Sequence, residues 1–144
     1  MTDPVSEPTP LAANAPEPVP EPVIVTDTGF ASDDWAAKAV LDLGSDTDPA
    51  AVDLGSAPGL IRIEFPSFSD GRGFSIARQL RLRGYQGRLR AKGHVIADQY
   101  TMARRSGFDE VEISADLATR QPEAQWRFRA NWQVHDYQSR LRQG

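Results

Sequence analysis

The sequence contains no cysteine among its 144 residues. Disulfides, a thiol nucleophile, zinc thiolates and a cysteine-ligated iron–sulfur cluster are therefore excluded. The two histidines do not form a His-x-x-x-His pair and no dense carboxylate loop is present, so the sequence predicts no metal site. A redox role would depend on a bound cofactor, whose identity the sequence leaves unknown, and we expect none that is tightly bound.

Long apolar runs are also lacking. No segment approaches the roughly 20 apolar residues that a membrane-spanning helix needs. The first residues do not combine a basic start with an apolar core, which is the pattern of a secretory leader. We therefore expect a cytoplasmic protein without a membrane partner.

The charged residues are divided unevenly along the chain. Residues 1–57 contain eleven acidic side chains and one basic side chain, which gives −10. Residues 58–144 contain fifteen basic and nine acidic side chains, which gives +6. A basic folded part favours an anionic ligand or partner. In the alternative interpretation, arginines cover helix faces and the acidic part is a solvated tail.

The first part of the chain is predicted to contribute little regular structure. Residues 1–22 are rich in Pro, Ala and Glu, and we expect them to form a disordered arm. Within residues 23–58, the pattern predicts a short strand at Val23–Thr26, a two-turn helix from Trp35 to Leu41 and a linker from Gly44 to Pro58.

Residues 59–144 are predicted to form an α/β domain with a C-terminal helix. Strand-like runs alternate with helix-like runs, and each helix-like run ends at a glycine that precedes an aromatic residue. The order is β-α-β-α-β, with strands at Leu60–Phe65, Arg88–Lys92 and Glu110–Ile113 and helices at Phe74–Arg83 and Val95–Ser106. This alternation favours a small parallel sheet that resembles part of a βα-barrel.

The turn after the first strand of this domain is a candidate anion-binding site. It consists of Ser69, Asp70, Gly71, Arg72 and Gly73, and it leads into a helix. Ligands of parallel α/β sheets bind beyond the carboxyl ends of the strands, and the N–H groups at a helix start attract anions. Arg72 adds a positive charge, although Asp70 has to turn away. In the alternative interpretation, this is a tight turn with Asp70 as a helix cap.

The second and third strands of the domain alternate charged and apolar residues, with opposite signs. Arg88, Arg90 and Lys92 share one face of the second strand, and Glu110 and Glu112 share one face of the third. A fully covered parallel sheet is more apolar than this. The charged face is therefore wet, with cross-strand pairs such as Arg90 with Glu112, or it lines a pocket or an interface.

A candidate pocket lies where the second strand leads into the second helix. It comprises Arg90, His94, Asp98 and Gln99. A histidine and an aspartate four residues apart can meet, and such a contact orients a general base. No nucleophile accompanies the pair, so the sequence assigns no catalytic residue.

The C-terminal tail is rich in aromatic residues and arginines. Trp126, Phe128, Trp132 and Tyr137 are too many aromatics for a solvated tail. They either dock on the sheet as part of an amphipathic helix or form an interface with a partner or a second copy. Arginines beside aromatics also suit stacking on single-stranded nucleic acid. Because no nucleic-acid-binding motif is present, we do not expect that partner.

Several short motifs in the α/β part resemble a known family. They are Phe65-Pro66, Asp70-Gly71-Arg72-Gly73, Leu89-Arg90-Ala91, Asp98-Gln99 and Arg105-x-Gly107-Phe108-Asp109. The run that contains them is similar to the core of a bacterial family of unknown function. Its genes commonly lie beside those for assimilatory sulfite reductase, and its members are often labelled oxidoreductases of sulfite reduction. This family has no established catalytic residues to transfer.

The resemblance implies a role in sulfur assimilation. The first hypothesis is an accessory protein of assimilatory sulfite reduction, which supports or assembles sulfite reductase without catalysing by itself. The alternative is a small oxidoreductase or anion-binding enzyme that uses a bound flavin or nicotinamide cofactor at the carboxyl ends of the strands. The expected partners are sulfite reductase, a second copy of the chain or a small oxyanion.

Overall fold

The computed structural model describes residues 22–35 and 38–130, and a six-stranded sheet organises them. The strands are β1 (Val23–Thr26), β2 (Gly29–Ser32), β3 (Leu41–Leu43), β4 (Leu60–Phe65), β5 (Arg88–Gly93) and β6 (Glu110–Ile113). The helices are α1 (Arg72–Leu82), α2 (Tyr100–Ser106), α3 (Ala115–Arg120) and α4 (Glu123–Arg129), with 3₁₀ turns at Pro49–Ala51 and Ala97–Gln99. No helix in these two ranges is long and apolar enough to cross a membrane.

The order of the strands in the sheet is β2-β1-β6-β5-β4-β3. Strands β3 to β6 are parallel neighbours in chain order, whereas β1 pairs antiparallel with β2 and β6. Crossovers between parallel strands are right-handed, so an order that advances by one position each time places every crossover on the same face. Within the described residues, the helices therefore cover one face of the sheet only.

The hydrophobic core lies between the sheet and these helices. Alternate residues of the parallel strands point into it, namely Ile61, Ile63, Phe65, Leu89, Ala91, Val111 and Ile113. Helix α1 contributes buried side chains at helical spacing, namely Phe74, Ile76, Ala77 and Leu80. The ring of Phe65 lies 4.9 Å from that of Phe74 and 5.8 Å from that of Phe108. The period of two in the strands and the helical period in α1 thus place apolar side chains in the same core, on one face of the sheet.

Both glycine helix ends that the sequence predicts are confirmed. Gly84 follows α1 with a φ of 98°, and Gly107 follows α2 with a φ of 115°. In each case the next residue, Tyr85 or Phe108, donates its N–H to a carbonyl oxygen five residues back. These left-handed glycines return the chain to the sheet just before β5 and β6.

The α/β class with parallel strands and a C-terminal helix is confirmed, and the predicted strand at Val23–Thr26 joins the same sheet as β1. The four parallel strands β3 to β6 have the strand order of a partial βα-barrel, but the sheet is open, with β2 and β3 at its edges. The second helix begins later than predicted, at Tyr100. Most of the predicted N-terminal arm, residues 1–21, and the tail after Ala130 lie outside the described residues.

The helix predicted from Trp35 to Leu41 is wrong. Trp35, Lys38 and Val40 are not helical, and Leu41 begins β3, which pairs with β4. The connection from β2 to β3 joins opposite edges of the sheet, which are about 24 Å apart for five strand spacings. The nine steps from Ser32 to Leu41 reach about 30 Å only when the chain is nearly extended. A helical connection is too short for this distance, and the strands β1, β2 and β3 of this part of the chain belong to the sheet.

Trp126 provides a test of how α4 packs. Its side chain is fully buried, its indole N–H donates to the Gln121 carbonyl at 2.9 Å, and its ring lies 6.1 Å from that of Tyr100. Trp126→Ala should lower the free energy of unfolding by about 3–5 kcal/mol, measured by urea denaturation. Phe128→Ala is the matched control on the same helix, because Phe128 is 66% exposed. The control should change stability by about 0.5 kcal/mol at most, and equal losses in both variants would contradict this packing.

Candidate functional site

The predicted anion-binding turn lies at the carboxyl end of β4 and leads into α1. Its one cation, Arg72, is paired with Asp70, with Nε 3.0 Å from Oδ1 and Nη2 2.8 Å from Oδ2. Asp70 also accepts the Arg72 backbone N–H at 3.1 Å, so it closes a tight turn at the helix start as in the alternative interpretation, although it lies one residue before the N-cap position. These bonds from Arg72 hold the pKa of Asp70 well below its ordinary value. The turn therefore presents a neutralised ion pair.

The positions of the other residues of this turn are explained by local structure. Gly71 is the N-cap residue of α1. Gly73 is required by packing, because a Cβ there would lie 2.5 Å from Phe65 Cζ. The hydroxyl of Ser69 lies 3.2 Å from that of Ser67 on the exposed loop. The closeness of Gly73 to Phe65 explains this glycine without a ligand.

An open groove lies beside this turn, at the carboxyl ends of β3 and β4. Arg72 Nη2 donates to Ser45 Oγ at 2.9 Å and so joins the turn to the loop after β3. The groove has a volume of about 390 Å³ and is lined by Ser45, Asp46, Thr47, Pro49, Arg72, Ser75 and Ile76. This is the space in which a small oxyanion could reach the guanidinium of Arg72.

The four residues of the candidate pocket do not come together. Arg90 is buried on the face of the sheet away from the helices, and Asp98 is paired with Arg129 at 2.9 Å. No hydrogen bond or ion pair joins His94 to Asp98 in the part of the chain that the structure describes. The predicted contact that would orient a general base is therefore not formed.

His94 and Gln99 instead hold the loop that follows β4. The backbone N–H of His94 donates to the Phe65 carbonyl at 2.9 Å, and its Nδ1 lies 3.3 Å from the same oxygen. Gln99 Nε2 donates to the Phe68 carbonyl at 2.9 Å. The rings of Phe68 and His94 meet edge to face at 5.2 Å. These contacts fix the loop over the ends of β4 and β5.

The face of the sheet that none of the described helices covers, called the charged face below, carries a buried ion-pair cluster. Arg90 on β5 is fully buried, with Nε 2.6 Å from Glu110 Oε2 and Nη1 2.9 Å from Glu112 Oε1, both on β6. The predicted pairing of Arg90 with Glu112 is confirmed. Burial acts to lower the pKa of Arg90, but the two glutamates outweigh it and raise the pKa above its ordinary value. The guanidinium therefore stays charged.

Two further arginines extend this cluster across the sheet. Arg62 on β4 pairs with Asp42 on β3 at 2.6 Å and with Glu112 at 3.2 Å. Its hydrogen bonds lower the pKa of Asp42. Arg88 on β5 lies 3.5 Å from Glu110. Ion pairs thus connect all four parallel strands on this face.

The segment after β2 covers part of the charged face. Asp33 Oδ1 lies 3.2 Å from Arg90 Nη1, and Asp34 accepts two hydrogen bonds from Arg88, at 2.8 and 3.2 Å. The ring of Trp35 stacks on the Arg88 guanidinium at 4.9 Å. The cluster then comprises three arginines and five carboxylates, namely Arg62, Arg88, Arg90, Asp33, Asp34, Asp42, Glu110 and Glu112.

A second groove lies beside the edge strand β3 and is called the β3 groove. It has a volume of about 400 Å³. Its apolar lining residues are Leu41, Leu43, Ala51, Val52, Ala57 and Pro58, and its polar ones are Thr47, Asp48, Asp53 and Ser56. Within the described ranges, β3 pairs with β4 alone.

Two of the four predicted interface aromatics lie in the described residues. Trp126 packs against Tyr100 in the core, which agrees with docking on the sheet, whereas Phe128 is exposed. Trp132 and Tyr137 lie outside the described residues.

Local sequence patterns did not identify the acidic residues that pair with arginines of the sheet far from them along the chain. Asp42 is 20 residues from Arg62, and Asp33 is 57 residues from Arg90. The local signal that was available is the apolar–charged–apolar run Leu41–Leu43, which matches the alternation of β5. A run of three residues is too short to distinguish from a helix end.

Comparison with known proteins identifies the family of the chain. The family model described as a bacterial protein of unknown function (DUF934) matches residues 40–143, and the chain belongs to this family. No curated protein and no solved structure matches the chain significantly. The matched range includes Arg62, Arg88 and Arg90 with their glutamates, but it excludes Asp33 and Asp34.

Arg90→Met tests the buried ion-pair cluster. The variant leaves Glu110 and Glu112 buried without their central cation, so the free energy of unfolding should fall by about 3–5 kcal/mol in urea denaturation. Replacing both glutamates by leucine as well should recover much of this loss, since an apolar set of similar volume needs no cation.

The matched control for this prediction is Arg120→Met. Arg120 pairs with Asp116 on the surface of α3, so its loss should cost about 0.5 kcal/mol at most. If Arg90→Met were no more damaging than this control, the cluster would not stabilise the fold.

Asp70→Asn tests whether the turn at Ser69–Gly73 can bind an oxyanion. In the wild-type protein, sulfite or phosphate should bind no tighter than about millimolar, because Asp70 neutralises Arg72. Removing the carboxylate frees the exposed guanidinium of Arg72 to bond the anion, which should strengthen binding severalfold. Amide chemical shifts of residues 69–74 provide the measurement.

Two controls accompany this titration. Asp116→Asn removes a similar paired carboxylate on α3 and should leave the shifts unchanged. Because the pKa of Asp70 is held below its usual value of 3.8, its ion pair is lost only as the pH falls through that lower pKa. Buffer at about pH 4 should therefore not imitate the substitution. Absence of saturable shifts in Asp70→Asn would leave this turn a structural cap.

Proposed function

We propose that this protein is an accessory protein of assimilatory sulfite reduction, which binds sulfite reductase and supports or assembles it rather than catalysing by itself. The link to sulfite reduction is supported by the resemblance of the motifs between Phe65 and Asp109. A role without catalysis is supported by the way the charged side chains of the domain are used.

A reaction site needs polar groups that are directed at a ligand. Near the carboxyl ends of the parallel strands, Arg72 bonds to Asp70 and Asp98 bonds to Arg129 instead. Arg90 is enclosed by the carboxylates of the charged face. These charges are already paired within the molecule, which favours a binding role over a chemical one.

The observation that carries the proposal is the open sheet edge at β3. The opposite edge, β2, is covered by α4, where Glu123 Oε2 accepts the Phe30 N–H at 2.9 Å. At β3, in the part of the chain that the structure describes, no further strand is paired, and the β3 groove lies alongside. An open edge beside an apolar groove suits the attachment of another chain.

A second candidate is a small oxidoreductase or anion-binding enzyme that uses a bound flavin or nicotinamide cofactor. It is favoured by the groove of about 390 Å³ beside Arg72, whose hydroxyl lining includes Ser45, Thr47 and Ser75. A phosphate group could enter there, at the carboxyl ends of β3 and β4. An ultraviolet–visible spectrum of freshly purified protein discriminates between the candidates, because flavin absorbance would favour the enzyme.

The accessory function predicts a direct complex with sulfite reductase. Isothermal titration calorimetry of the two purified proteins should give a micromolar dissociation constant, about −8 kcal/mol. The protein alone should not reduce sulfite, and its presence during expression should raise the active fraction of sulfite reductase. An unrelated acidic protein of similar size serves as the control. Absence of both a complex and an activity change would refute the accessory role.

A further inference from the structure

The backbone of β3 is open on its outer side. β3 is the last strand of the sheet, and within the described residues its pairing is limited to β4. Such an edge is a template for a further strand, because its outward N–H and C=O groups lack a strand partner. Leu41–Leu43 contains no proline or lysine of the kind that blocks edge pairing.

The side chains of β3 alternate between two surroundings. Leu41 and Leu43 are half-buried and line the β3 groove, whereas Asp42 pairs with Arg62 on the charged face. A strand placed beside β3 would direct its side chains to these two sides in turn. Its apolar residues would enter the β3 groove.

The charges at the β3 groove have one sign. Asp48 and Asp53 line the groove, and no basic residue does. Asp48 accepts the Ala50 N–H, and Asp53 accepts the Gly55 N–H and the Ser56 hydroxyl, so both carboxylates are held in place. Fixed negative charges beside an apolar groove favour an occupant with basic residues.

We propose that the open edge of β3 and the β3 groove bind an extended segment of a partner protein, in which apolar and basic residues alternate, by strand addition. Backbone hydrogen bonds to β3 supply the attachment, and the groove with its two aspartates selects the side chains. The identification of that partner as sulfite reductase rests on the proposed function, whereas the chemistry of the segment does not.

The test uses the full chain and short labelled peptides, with binding followed by fluorescence anisotropy. A peptide of alternating lysine and valine should bind with a micromolar dissociation constant, and one with glutamate in place of lysine should bind at least about tenfold more weakly. A lysine–valine peptide that is N-methylated at every residue should lose binding, because no backbone N–H is then left to donate to the edge of β3.

Two variants locate the site. Leu43→Lys places a cation in the β3 groove and should weaken the lysine–valine peptide about tenfold or more. Leu82→Lys is the matched control, because Leu82 is 74% exposed on α1 and does not line the groove. The double variant Asp48→Asn, Asp53→Asn keeps acceptor oxygens for the turns but removes both charges, so it should abolish the preference for lysine over glutamate. This charge test stands even if Leu43→Lys fails to fold.

The outcomes separate this inference from the proposed function. Equal binding of the lysine and glutamate peptides, or unchanged affinity in folded Leu43→Lys, overturns the inference. If wild-type protein and Leu43→Lys bind sulfite reductase equally, the groove is not the site, although the accessory role stands. If the lysine–valine peptide binds and sulfite reductase does not, the groove stands and the accessory role fails. A dimer in light scattering that Leu43→Lys dissociates would make the occupant a second copy and overturn the assignment to a partner.

Discussion

Arg90 is completely buried on the sheet face that no described helix covers, and it is held between Glu110 and Glu112. A parallel sheet is normally covered on both faces, but the strand order of this fold places the crossovers on one side. On the other face, the charged side chains of the strands form ion pairs with one another instead. These pairs also specify the register of β5 against β6, because a slip by one residue would turn the arginines into the hydrophobic core.

The path of the chain after β2 follows from the same requirement. Asp33 and Asp34 bring negative charge over Arg90 and Arg88, and the chain then continues to the far edge, where β3 begins. The position of β3 has a consequence for binding. Because α4 covers β2 at the other edge, the proposed strand addition takes place at β3.

Local pattern was sufficient for the parallel strands β4 to β6 and for the pairing of Arg90 with Glu112, since a period of two places both on one face of neighbouring strands. The short strands β2 and β3 were not predicted, because three or four residues carry too little periodicity. The helix predicted from Trp35 was favoured by the local sequence. It does not form because the chain has to cross from one edge of the sheet to the other between β2 and β3. At the turn before α1, the sequence does not show whether Asp70 pairs with Arg72 or turns away from it. The structure shows that the two side chains are paired.

The excess negative charge of the first 57 residues and the excess positive charge of the remainder partly neutralise each other inside the molecule. Within the described residues, five ion pairs join an acid of the first 57 residues to an arginine of the remainder, namely Asp27–Arg104, Asp33–Arg90, Asp34–Arg88, Asp34–Arg90 and Asp42–Arg62. The positive charge of residues 58–144 favoured an anionic ligand in the sequence analysis. Acidic residues of the same chain neutralise part of that charge. An anion has to compete with carboxylates that are already in place. A basic segment at the β3 groove meets Asp48 and Asp53; Arg83 acts on Asp53 from outside the groove lining, but no cation lines the groove itself, so electrostatics favours that occupant at this edge.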